Sequence, residues 1–197
     1  MAERSLDLGA LQSLLERVHD LKVACVGDLM LDRYVYGEVS RISPEAPIPV
    51  LRARRTVAMP GGVGNVARNV AALGGQARLG AVAGDDAAGA ELADLIAAED
   101  RVEDALIRPA GAATIVKTRF VAAGQQLLRL DDEAALHSGY ADRAVFQGAG
   151  AILLSDYAKG VVDDGAIQAA LWAGAEYGAP VIVDPKGRDF ARYGAVD

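Results

Sequence analysis

Four short apolar runs, each stopping abruptly in polar or glycine-rich sequence, do most to limit what this chain can fold into. They are Val23-Ala24-Cys25-Val26 before Gly27-Asp28, Arg78 to Ala83 before Gly84-Asp85-Asp86, Ala151 to Ser155 before Asp156-Tyr157-Ala158-Lys159-Gly160, and Val181 to Asp184 before Pro185-Lys186-Gly187. Strands that read as apolar throughout are buried on both faces, as in a parallel sheet. Around them the spacing turns helical. Leu8 to Val18 reads as a leading helix. Val66, Val70 and Leu73 form an i, i+4, i+7 stripe that stops at Gly74-Gly75. Ala87 to Ala98, capped by Asp85 or Asp86, and Asp164 to Tyr177 complete the helices. Strands alternating with helices predict an α/β fold, with a mostly parallel Rossmann-type sheet flanked by helices.

Two stretches break the alternation. Arg33 to Val39 and Ile48 to Ala58 are rich in Tyr, Val, Ile and Arg, with Pro44, Pro47 and Pro49 confining the start of the second to an edge or loop. Thr114 to Ala122 and Gln126 to Leu130, joined at Ala123-Gly124-Gln125, set Lys117, Arg119, Gln126 and Arg129 among apolar residues. That alternation fits a sheet with one wet face. The interruptions are expected to pair into a small β lid, about 32–59 and 112–131, beside a core of about 1–31, 60–111 and 132–197.

Several function classes are disfavoured. A net charge of -7 argues against non-specific nucleic-acid binding, which needs a basic face. No apolar run approaches the roughly 20 residues needed to span a bilayer, and Met1 to Asp20 reads as polar and helical, so no membrane association and a cytoplasmic location are expected. The single Cys25 sits in the first apolar run as a small packed residue, and His19 and His137 have no metal-ligand spacing around them. No metal ligands are assigned.

Function is sought at the strand ends, because ligands of open α/β sheets bind outside the carboxyl ends of the strands. Asp28 there is either a ligand contact or a turn cap. Asp156 and Lys159, with Asp184 and Lys186, suit a polyhydroxylated, phosphorylated ligand: acids accept from hydroxyls and lysines neutralise phosphate. Each lysine could instead stabilise its own loop through a neighbouring acid. The run Pro60-Gly61-Gly62-Val63-Gly64-Asn65 opens a helix, and its glycines allow either close ligand approach or close helix packing. It is neither a P-loop nor a dinucleotide fingerprint.

The run Pro60 to Gly74, Pro-Gly-Gly-Val-Gly-Asn-Val-Ala-Arg-Asn-Val-Ala-Ala-Leu-Gly, resembles the N-terminal signature of the ribokinase/PfkB carbohydrate kinases. Gly27 to Tyr34, Ser40 to Pro47, Gln125 to Asp131, Leu154 to Gly160 and Asp184 to Gly187 narrow the resemblance. They are similar to the D-glycero-β-D-manno-heptose 7-phosphate kinases, which form half of a bifunctional kinase and adenylyltransferase. The resemblance implies a ribokinase-like fold and ATP- and Mg2+-dependent transfer of a phosphoryl group to the anomeric hydroxyl of heptose 7-phosphate. Its product would enter ADP-heptose synthesis for the lipopolysaccharide core. It further implies a homodimer formed through the lid. Carried over by motif, Asp28, Gly61, Gly62 and Asn65 would hold sugar hydroxyls. Arg119, Gln126 and Arg129 would face the sugar or its 7-phosphate, and Lys159 and Lys186 are candidates for phosphate.

One departure limits the comparison. The family's Asn-x-x-Glu and Gly-Ala-Gly-Asp motifs occur nowhere in the sequence, and Gly148-Ala149-Gly150 is followed by Ala151. The expectation is therefore an incomplete domain that lacks the C-terminal part of the fold. It would supply the sugar-binding half and the lid but no residue that takes the hydroxyl proton. It would have an unprotected edge at Val181 to Asp184, reduced stability and little activity alone. The alternatives are a non-catalytic sugar-phosphate-binding or dimerisation module and another PfkB-type sugar kinase.

Overall fold

The computed structural model describes residues 7–19, 21–133, 140, 142–194 and 196. His137 and the first six residues lie outside that set, so the readings made for them have no structural counterpart. The chain runs α1 (Leu8–Val18), β1 (Lys22–Gly27), β2 (Leu29–Ile42), β3 (Pro49–Gly62), α2 (Val63–Ala72), β4 (Gln76–Val82), α3 (Ala87–Ala97) and β5 (Val102–Ile107). It continues with β6 (Val116–Ala122), β7 (Gln125–Asp132), β8 (Ala151–Asp156), α4 (Asp164–Tyr177) and β9 (Val181–Pro185), with 3₁₀ turns at Arg143–Phe146 and Phe190–Tyr193.

Two sheets result. The first is parallel, in the order β5-β4-β1-β8-β9. Successive strands run outward from β1 to β4 and β5, then the chain returns to the other side of β1 for β8 and β9. The order therefore reverses at β1, and a crevice opens at the carboxyl ends of β1 and β8. The first three apolar runs bury at their centres, where Ala24, Cys25, Val26, Leu79, Ile152 and Leu154 are at most 1% exposed, whereas in the edge run, Val181 to Asp184, Ile182 is 44% exposed. One core face joins Val26, Leu154, Ile167 and Phe146, and the other joins Cys25, Leu79, Leu92 and Ile96. Cys25 is walled in, and burial pushes its thiol up to about 12, so it is inert packing rather than a nucleophile.

The second sheet has the order β3-β2-β6-β7, with β2 and β6 parallel and the outer pairs antiparallel. Its roots reach further into the core than the sequence suggests. β2 starts at Leu29, directly after Asp28, and β3 runs on to Gly62. Leu29 and Leu31 bury in the apolar core and Met30 buries against Gly61 and Gly62 on the cleft side, so no alternation marked them as a strand. β5 also escaped the sequence reading. Its Glu103-Asp104 pair on a sheet edge hides the period, and acids are poor strand formers. In α2 the buried positions are Val63, Gly64 and Ala67, while Leu73 caps the helix and is 57% exposed. The helix is rotated from the expected stripe because Gly64 lets it lie against Leu29 and Pro60; a Cβ there would sit 2.7 Å from side-chain atoms of both.

Asp28 joins the parts. It is fully buried, its N–H donates to the Ser155 carbonyl at 3.1 Å, and its carbonyl accepts from the Val63 N–H at 3.0 Å. Its carboxylate accepts from the backbone N–H groups of Tyr157, Lys159 and Val161 at 2.7, 3.0 and 3.1 Å. The loop after β8 wraps this carboxylate as a nest of N–H groups, which places Ala158 at φ +57° and Gly160 at φ +104°. Burial pushes the Asp28 carboxyl above its ordinary value, the Lys159, Val161 and Tyr157 N–H groups pull it down, and nearby Asp156 adds to the rise.

Replacing Asp28 with Ala would leave three N–H groups of the β8 loop without an acceptor, that of Val161 buried. The expected loss is about 3 kcal/mol or more, read as a lower urea midpoint with faster hydrogen exchange at Tyr157 to Val161. Asp86 offers a pH test. It caps α3 through Gly89 N–H at 2.7 Å and ties down Thr114 through N–H and Oγ1, each at 2.8 Å. Desolvation pushes its carboxyl up, but the hydrogen bonds from Thr114 and Gly89 together hold it below the ordinary value. A lowered carboxyl stabilises fully above the unfolded value of about 4 and loses that contribution as pH falls through the folded value. Asp86→Ala should cost about 1–2 kcal/mol at pH 7, and its urea midpoint should converge on that of the wild type below pH 4.

Candidate functional site: a cleft between the two sheets

The crevice at the end of β1 is roofed by the inner rows of the second sheet, and together they enclose a cleft of about 610 Å³. Register fixes what the roof presents. Met59, Asp32, Lys117 and Asp131 form one cross-strand row, and Val57, Tyr34, Arg119 and Arg129 form the next row on the same face. Tyr34 stacks on Tyr36 at 6.1 Å between centroids, and the Arg119 guanidinium lies 5.1 Å over the Tyr34 ring. The floor is supplied by Gly62 and Asn65 at the start of α2, by Tyr157 and Lys159 in the loop after β8, and by Lys186 after β9.

Of the residues singled out in the sequence, Gly62, Asn65, Arg119, Arg129, Lys159 and Lys186 line this cleft. Asp28, Gly61 and Gln126 do not. Asp28, expected to hold sugar hydroxyls, is corrected to a scaffold residue: both carboxylate oxygens are occupied by backbone N–H groups and no surface of it reaches the cleft. The turn-cap alternative describes it better. Gly61 is buried against Asp32, where a Cβ would lie 2.3 Å from Oδ2. Its role is to let the Asp32 carboxylate approach, rather than to touch a ligand. Gln126 pairs with Val121, a row farther from the core than Arg119 and Arg129, after a register shift between Phe120 and Val121. Asp156, placed on the rim by sequence, turns to the opposite side of the sheet; it accepts from Tyr193 Oη at 2.7 Å and from Arg192 at 3.2 Å.

The residue that sequence reasoning missed is Asp32. It lies four residues after Asp28, so a strand continuing through Asp28 was the signal that would have found it. Asp32 lines the cleft, and its Oδ1 accepts from Arg119 Nη1 at 2.5 Å, with both side chains 18% exposed. Gly62 completes this corner. At φ +57°, with a would-be Cβ 2.1 Å from the Asp28 carbonyl, it admits no side chain, and α2 begins without a side-chain cap, its first N–H donating to the Asp28 carbonyl.

The cations of the cleft come with internal partners. Lys117 pairs with Asp131 at 3.1 Å and with Glu133, Arg129 grips Asp131 through two nitrogens at 2.8 and 2.9 Å, and Lys159 pairs with Glu133. Hydrogen bonds from Lys117 and Lys159 hold the Glu133 carboxyl below its ordinary value. Five cationic side chains against three carboxylates line the cleft, a surplus of two positive charges. Among the described residues Lys186 is the lining cation that forms no ion pair. The arrangement can accept hydroxyls at Asp32 and Asn65 and neutralise a dianion between the lysines and Arg129. No grouping of three or more His, Cys, Asp or Glu that could hold a metal ion occurs among the described residues. No helix there is long and apolar enough to cross a membrane.

Comparison with known proteins bears out the fold. The pfkB family carbohydrate kinases match residues 20–195. The bifunctional protein HldE of Hyphomonas neptunium is 47% identical over 195 residues, covering 95% of this chain and 40% of that protein. HldE of Rhodospirillum rubrum is 50% identical over 193 residues, covering 93% and 39%. The chain thus spans about two fifths of the length of these relatives. Among solved structures, phosphofructokinase-2 from Escherichia coli in complex with substrates and products superimposes with a TM-score of 0.62 at 25% identity, covering 91% of this chain and 59% of that one. A possible 1-phosphofructokinase from Thermotoga maritima gives 0.66 at 17% identity, covering 88% and 55%, and shares the fold. With a ribokinase-like parallel sheet, a second small sheet over its carboxyl edge and a family match across nearly its whole length, the chain belongs to the PfkB family of carbohydrate kinases.

Proposed function

We propose that this chain forms the acceptor-sugar half of an ATP-dependent kinase that phosphorylates D-glycero-β-D-manno-heptose 7-phosphate at its anomeric hydroxyl, in the cytoplasm, for ADP-heptose and lipopolysaccharide core synthesis. The observation that carries the reading is the cleft itself. Its surplus of two positive charges matches one phosphate monoester, and Asp32 and Asn65 in its lining offer hydroxyl partners. The similarity to HldE proteins supports the heptose as acceptor.

In this reading Asp32 and Asn65 orient the sugar hydroxyls, while Lys117, Arg129, Lys159 and Lys186 hold the 7-phosphate. The second sheet covers the sugar and keeps water from the transferred group, the positioning on which phosphoryl transfer depends. The family uses ATP and Mg2+, which supply the phosphoryl group and offset its charge. With no Gly-Ala-Gly-Asp in the sequence, removal of the hydroxyl proton is assigned to no residue here. The second sheet is also proposed as a homodimer interface. β7 is exposed along its whole length and carries Leu127, Leu128 and Leu130 at 44, 59 and 55% exposure.

Calorimetric titration tests the site. Heptose 7-phosphate should bind saturably, and Lys186→Ala should weaken it about tenfold or more while leaving the affinity of the unphosphorylated heptose unchanged. Asp32→Asn should weaken both ligands alike. Loss of affinity for the phosphorylated sugar in neither variant would remove the cleft from consideration. For the interface, sedimentation should report a dimer that Leu128→Lys converts to monomer.

A further inference from the structure

We propose that Glu133 is a built-in stand-in for the ligand's phosphate: it occupies Lys117 and Lys159 and must be displaced when a phosphorylated sugar enters. This rests on the function proposed above and deepens it by naming what competes for the phosphate subsite.

The two lysines come from different sheets. Lys117 is on β6 of the roof, and Lys159 is in the loop that Asp28 holds at the end of β8. Their ammonium groups meet on one side chain, Lys117 at Oε1 of Glu133 and Lys159 at Oε2. Two cations gripping the two oxygens of one carboxylate reproduce the way a phosphate is held by two of its oxygens. Lys117 is only 12% exposed at its side chain and keeps Asp131 at 3.1 Å as a second anion, so Glu133 can leave it without stranding a buried charge. Glu133 itself follows the last residue of β7 and belongs to no strand, so it can swing away without breaking the sheet ladder.

Glu133 also bridges roof and floor. While it is seated, the two sheets are tied together across the cleft; when a dianion takes its place, the same two lysines tie them together through the ligand. A neutral sugar gains nothing from Lys117 and Lys159, because it cannot replace the carboxylate. Glu133 would therefore set a threshold that only a ligand with a dianionic group passes, a specificity device distinct from a contact that simply adds affinity.

Titration of the wild type, Glu133→Gln and Glu133→Asp with two probes, inorganic phosphate and heptose 7-phosphate, decides the matter. Glu133→Gln removes the competing charge at nearly constant shape and should bind inorganic phosphate about tenfold more tightly than the wild type. Glu133→Asp keeps the charge but shortens the reach, and should fall between the two. The gain should vanish when Glu133→Gln is combined with Lys159→Met. Unchanged or weaker phosphate binding by Glu133→Gln would overturn the proposal, since a ligand contact or a purely structural latch predicts that result. If Glu133→Gln gains affinity for inorganic phosphate while no form binds heptose 7-phosphate, the displacement holds and the proposed acceptor is wrong.

Discussion

A single carboxylate surrounded by backbone N–H groups organises this molecule. Asp28 accepts from Tyr157, Lys159 and Val161 through its side chain, donates to Ser155 through its own N–H and accepts from Val63 through its carbonyl. Those contacts join β1, the β8 loop and the start of α2, which are the floor of the cleft. A buried anion is costly unless it is fully hydrogen-bonded, and here the bonding partners are main-chain groups that can come from only one loop conformation. The same constraint holds Ala158 in the left-handed region, a conformation that costs a non-glycine residue about 1 kcal/mol and persists where surroundings enforce it. Lys159 reaches the cleft because its own backbone N–H is pinned to Asp28.

The cleft built on that floor is electrostatically prepared. Most of its cations already have carboxylate partners, so a ligand exchanges ion pairs instead of filling a bare positive hole. Such exchange gains little raw affinity, since each new pair replaces an old one, but it favours a ligand whose charge and geometry match those of the groups it displaces. Asp32 and Arg119 form a further pair beside Gly61, where Arg119 is also held by the Tyr34 ring. These side chains are thus ordered before a ligand arrives.

Much of this could be read from residues alone, and the failures have specific causes. Apolar runs ending in Gly-Asp or Ser-Asp identified the parallel strands and their rim, because a strand buried on both faces leaves no other pattern. The same logic misassigned Asp28. A sequence shows that an acid stands at a strand end but not which way its carboxylate turns, and the decisive partners are N–H groups about 130 residues away in the chain. Asp32 was hidden because Leu29 to Leu31 bury on both sides and read as a continuation of the core rather than the root of a new strand. Gln126 failed through register: one irregularity between Phe120 and Val121 moves it a row beyond the arginines, and no local signal marks that shift.

β2 explains why the two sheets can act as one site. It leaves the core at Leu29 and remains paired to β3 and β6 through Gly37, so the roof is a continuous extension of the floor's own strand. Successive residues on it face opposite ways. Asp32 points into the cleft and pairs with Arg119, while Arg33 points away and pairs with Glu91 of α3 on the outer side. The strand is tied to the core behind and to the roof in front. The root of β2 is buried as far as Leu31, and among the described residues Glu133 and Lys159 form the ion pair across the mouth. Roof and floor are therefore joined by contacts of two kinds. Those on the outer side are indifferent to ligand, and the one at the mouth is made by the lysine that a phosphate would claim.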